Sequence, residues 1–83
     1  MKTAYITISE LTKLQQDIMH IIIDWVHTEK TPIPLKEIME RTKEKGVKAP
    51  TAVNAINGLL NKGYLRRACI ISNRSYFVML RTI

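Results

Sequence analysis

Eighty-three residues, 46% hydrophobic and 24% charged, suffice for one modest core and leave no room for a second lobe around a catalytic cleft. The formal net charge of +6 sits in one half: residues 45–83 hold Lys45, Lys48, Lys62, Arg66, Arg67, Arg74 and Arg81 with no Asp or Glu, whereas residues 1–44 set six bases against seven acids. Such asymmetry points to a polyanion, with nucleic acid ahead of anionic membrane.

The lone Cys69 rules out an internal disulfide, and no N-terminal stretch has the apolar core of a signal peptide. The longest apolar run, Ile21 to Val26, is broken by Asp24 and falls far short of the roughly 20 residues that span a bilayer. A reducing, cytoplasmic setting without membrane insertion is expected.

Residues 1–10 read as an arm or short strand, since Tyr5, Ile6, Thr7 and Ile8 favour extended backbone. Thr12 to Gln15 has the form of a capping box, so a first helix is expected over 12–29. Leu14, Ile18, Ile21, Ile22, Trp25 and Val26 share its apolar face, with Lys13, His20, Asp24 and His27 opposite. Met19 and Ile23 fall at the margin and are candidates for an exposed dimer surface, together with the Tyr5–Ile8 arm.

Pro32 and Pro34 end this helix. A second is expected over 35–45, burying Leu35, Ile38 and Met39 and stopping at Gly46. A third, over 50–62, begins at Pro50, buries Ala52, Ala55, Ile56 and Leu59, and closes at Gly63. Beyond it the period becomes extended: Leu65–Ile71 and Tyr76 to about Leu80 are strands of a hairpin within 64–83, separated by Ser72, Asn73, Arg74 and Ser75. The expected fold is therefore mainly α with a small β-hairpin, a three-helix winged helix-turn-helix in a single domain.

The informative residues lie on helix 3. Asn54, Asn57 and Asn61 share its outer face, with Thr51 near the start. Asn is a mediocre helix former and Gly58 costs about 1 kcal/mol relative to Ala, so helix stability did not select this face. An Asn amide can pair both its donor and its acceptor with the N6/N7 edge of adenine in the major groove, and Gly58 would let the helix approach closely. Lys45 and Lys48 flank the turn into helix 3 and would hold phosphates, while Asn73 and Arg74 at the hairpin tip would reach phosphate or the minor groove. Arg66 and Arg67 must point to opposite faces of their strand; Arg66 is the one assigned to the same surface.

Other constellations carry less. His20 and His27 lie too far apart for a helical metal pair, so neither metal nor cofactor is expected. Cys69 reads as a small buried filler rather than a nucleophile, and no phosphate loop or nucleophile–base pair occurs, so an enzyme is not expected.

Leu11, Thr12, Gln15, Gln16, Asp17 and Ile18, followed by Pro32, Glu37, Ile38, Arg41, Gly46, Pro50, Ala52, Leu59, Lys62 and Gly63, resemble the N-terminal DNA-binding domain of the LexA repressor family over residues 11–80. The Leu59–Gly63 ending also recurs in MarR-like winged helices. The resemblance implies that helix 3 enters the major groove from its start at Pro50 and Thr51, with the hairpin as wing. Lys43, Glu44 and Lys45 look like an insertion, and Asn54 and Ala55 replace that family's acidic residues, which implies a different target. Only the binding module is shared, so the resemblance carries no autoproteolytic activity.

Together these readings predict a sequence-specific double-stranded DNA-binding regulator, a repressor or mobile-element control protein, working as a homodimer on DNA. The alternative is a winged-helix adaptor that binds an acidic protein partner.

Overall fold

A computed structural model describes residues 11–71 and 74–81. Three helices, α1 (Lys13–Glu29), α2 (Leu35–Glu44) and α3 (Ala49–Asn61), combine with strands β1 (Ile33–Pro34), β2 (Leu65–Ile71) and β3 (Arg74–Met79). The strands form one antiparallel sheet in the order β1-β3-β2. The arrangement of a helix, a short strand, two helices and a hairpin is compatible with a winged helix. The expected arm, residues 1–10, lies outside the described residues.

The start of α1 is fixed by a complete capping box. Gln15 N donates to Thr12 Oγ1 at 3.1 Å, and Thr12 N donates to Gln15 Oε1 at 3.0 Å. Its end comes before the prolines act: Lys30 caps it in the left-handed region, φ 57°, an uncommon conformation for a residue with a side chain.

Helix α1 is the hub of the core, contacting α2, α3 and β1. That position overturns one expectation. Met19 is fully buried with Ile18 and Ile22, because a helix covered on several sides hides more than a single apolar stripe, and it is therefore no candidate for a dimer surface. Ile23 is half-buried.

Between α1 and α2 the Pro32–Pro34 stretch does more than stop a helix. Ile33 pairs with Phe77 and Pro34 with Tyr76, so these two residues add an edge strand to the hairpin and bury Ile33 completely. An edge strand tolerates proline because one of its sides needs no donor.

The turn from α2 to α3 is organised by Thr42, a buried polar residue that the sequence pattern does not mark. Its hydroxyl proton lies within reach of Ile38 O (2.9 Å) and Met39 O (3.1 Å), and its carbonyl accepts from Lys45 N and Val47 N, each at 3.0 Å. Gly46 then reverses the chain at φ 85°, where a side chain would be strained. Helix α3 buries Ala52, Ala55, Ile56 and Leu59.

Strand β3 begins at Arg74, paired with Ile71, so Arg74 and Ser75 belong to the ladder rather than to the turn, and only Ser72 and Asn73 separate the strands. A bulge at Ala68 interrupts the register between Arg67 and Cys69. Tyr64, Leu65 and Phe77 carry the hairpin base into the common core. The surroundings of the Cys69 side chain lie outside the described residues.

Candidate functional site

The buried stripe of α3 faces the core, which forces the opposite side outward. Pro50, Thr51, Asn54, Asn57 and Asn61 are all exposed. Asn54 with Asn57 and Asn57 with Asn61 are i,i+3 and i,i+4 neighbours, about 5–6 Å apart at their Cβ atoms. From Asn54 to Asn61 the helix rises about 10 Å, close to the span of three stacked base pairs. Val53, beside Asn57 on the same exposed side, is 39% exposed, and nothing in the sequence pattern marks it.

Gly58 has a different role from the one expected. A Cβ built there would run into the Gln15 amide nitrogen on α1, so the missing side chain serves helix packing rather than an approach from outside. Gln15 is a junction: 94% buried, its Oε1 accepts from Thr12 N and, at 3.3 Å, from Lys62 Nζ at the end of α3. The orientation of α3 is thus tied to the first turn of α1, and with it the direction in which the three asparagines point.

The basic residues divide into groups. Lys48 is the N-cap of α3; it makes no side-chain cap, and Pro50 brings no N–H to the first turn. Lys48 shares a shallow groove with Lys36, Lys43, Met39 and Val47. An adjoining hollow reaches along α2 from Lys36 to Arg74 and Tyr76 of the hairpin. Lys36 and Lys43 are therefore positive groups that the half-chain charge count concealed, although their spacing of seven residues on one helix face is readable. Glu40 lines both hollows and Glu37 the second, so the groove is mixed in sign.

Lys45 lines a different hollow, with Asp17, His20, Asp24, Arg41 and Glu44. It is not brought together with Lys48. The Lys13 ammonium, 2.7 Å away, holds the Asp17 carboxyl below its ordinary pKa, with lesser help from Lys45. Arg41 pairs with Glu37 of its own helix at 2.7 Å and joins α2 to α1 through Asp24 at 3.0 Å; both raise its pKa, and its guanidinium lies 5.8 Å from the Trp25 ring centroid.

On the hairpin, Arg66 pairs with Val78 and Arg67 with Phe77. Phe77 is buried, so Arg67 lies on the core side of the ladder with its guanidinium 5.6 Å from the Phe77 ring centroid, and Arg66 is on the other face. Arg81 stacks 4.4 Å from Tyr64. Arg74 is exposed at the start of β3, and Asn73 lies outside the described residues.

Among the described residues there is no group of His, Cys, Asp and Glu able to hold a metal ion, and no helix is long and apolar enough to cross a membrane. Comparison with protein-family models, curated proteins and solved structures gives no match for this chain.

Proposed function

We propose that this chain is a winged helix-turn-helix regulator that binds double-stranded DNA by sequence, with α3 in the major groove and the hairpin against the backbone or minor groove. The observation that carries the reading is the outer face of α3. Three exposed asparagines stand in one row on a helix whose opposite side is anchored in the core and whose end is joined to Gln15 of α1 through Lys62. Asn at an exposed helix position offers folding nothing over Ala or Lys, but offers adenine a matched donor and acceptor. Lys48 at the start of α3, with Lys36 and Lys43 beside it and Arg74 on the hairpin, supplies positive charge for the flanking phosphates. The resemblance to the LexA DNA-binding domain supports the same docking.

A row spanning about three base pairs cannot define a unique genomic site, so two copies would act on a two-fold site as a repressor or mobile-element control protein. A second reading, an adaptor binding an acidic partner protein, rests on the one-signed charge of residues 45–83 and not on the groove along α2, where Glu37 and Glu40 balance Lys36 and Arg74.

Selection from a randomised duplex pool, followed by fluorescence anisotropy at low and near-physiological salt, separates the two. The regulator reading expects convergence on paired A·T-containing half-sites that stay bound as salt rises. No enrichment, with affinity collapsing as salt increases, would reject it in favour of an electrostatic surface or a protein partner.

A further inference from the structure

The exposed side of α3 holds one residue that amide recognition does not use. Val53 and Leu80 are the large hydrophobic residues left exposed among those described, and only Val53 lies on α3. It sits one turn before Asn57 and one turn after Pro50, so an apolar patch of Pro50 and Val53 borders the asparagine row. A β-branched residue is a poor choice for an exposed helix position, where Ala, Lys or Glu would favour the helix more.

In the major groove the apolar feature of a base edge is the C5-methyl of thymine. An adenine read by Asn57 lies beside or opposite such a methyl, within reach of a side chain one turn away on the same face. Resting on the DNA-binding reading above, the geometry points to Val53 as a specificity residue that packs on a thymine C5-methyl, so that the target is recognised by its methyl groups as well as by its hydrogen-bonding edges. Cytosine carrying a C5-methyl presents the same apolar surface at the same depth, but pairs with guanine, so it would be accepted in place of a thymine only where Asn57 does not read that thymine's partner adenine.

The test uses the duplex recovered by selection, resynthesised with deoxyuridine replacing each thymidine in turn, which removes one methyl and leaves every hydrogen-bonding group intact. Burying one such carbon is equivalent to about fourfold in Kd, or about 0.8 kcal/mol at 1.4 kcal/mol per tenfold. The full chain is expected to lose about fourfold at one thymidine per half-site. Val53→Ala, which favours the helix and keeps the fold, is expected to bind the thymidine and deoxyuridine duplexes equally. Val53→Thr, which keeps one methyl, should retain part of the difference.

Indifference of the unaltered chain to every deoxyuridine, or discrimination that persists in Val53→Ala, overturns the role of Val53 while leaving sequence recognition intact. Failure of the selection to enrich any sequence overturns the DNA-binding reading itself, and this inference with it.

Discussion

Replacing Gly58 by Ala distinguishes the packing account of this residue from any role in approaching a partner. On an isolated helix the change would stabilise by about 1 kcal/mol. Here the new Cβ occupies the space of the Gln15 amide. Gln15 cannot swing aside without cost, because its Oε1 accepts from Thr12 N and Lys62 Nζ and the side chain is buried. Displacing it removes half of the capping box, which costs about 1 kcal/mol, and leaves a buried amide short of partners, which costs about 1–3 kcal/mol more. The net expectation is destabilisation by about 1–3 kcal/mol, a fall in Tm of roughly 4–24 °C for a domain of this size. Gln15→Ala empties the obstructed space, so Gly58→Ala in that background should stabilise by up to about 1 kcal/mol. Thermal and urea melts of the four chains complete a double-mutant cycle whose coupling energy should reach about 2 kcal/mol. A single Gly58→Ala chain that melts above the parent, with no coupling to Gln15, would refute the reasoning.

Two further outcomes are expected. Lys30→Gly relieves a left-handed cap, worth about 1–2 kcal/mol, against an entropic cost of about 0.5–1 kcal/mol, so it should stabilise by about 0.5–1 kcal/mol in a urea melt. Lys36, Lys43 and Lys48 changed together to Gln should lower the slope of log Kd against log salt by roughly 2–3, at about 0.9 per phosphate contact, while Lys45→Gln, whose neighbours include Asp17, Asp24 and Glu44, should leave it unchanged.

Local signals are what this chain makes legible. The Thr12–Gln15 capping box, the buried stripe of α3 and the exposed asparagines opposite it follow from spacing alone, since each depends on residues within one or two turns. What escapes is set by distant partners. Ile33 and Pro34 have no periodicity to betray a strand and become one only because Phe77 and Tyr76 arrive from the far end of the chain. Met19 is hidden because α1 is the helix the others pack around, a fact of topology rather than of its own pattern. Gly58 reads as an opening toward a partner until Gln15, 43 positions earlier, is seen to fill the space beside it. Lys45 and Lys48 look like one pair by number, yet the Thr42-centred turn sends them to different hollows. In the hairpin, polar residues drew the turn too wide: Arg74 and Ser75 resemble loop chemistry but pair with Ile71 and Ile70.

The central claim is that the asparagine face of α3 reads sequence rather than merely decorating a basic surface. Its most direct measurement is the ratio of Kd for a selected duplex and for a scrambled duplex of the same composition, taken for the parent and for an Asn54→Ala/Asn57→Ala chain at one salt concentration. Each bidentate contact carries about 1–3 kcal/mol of discrimination. The altered chain should therefore lose at least tenfold on the selected duplex and keep its affinity for the scrambled one, so that the ratio falls toward one. A ratio that stays unchanged, or equal losses on both duplexes, would contradict the account.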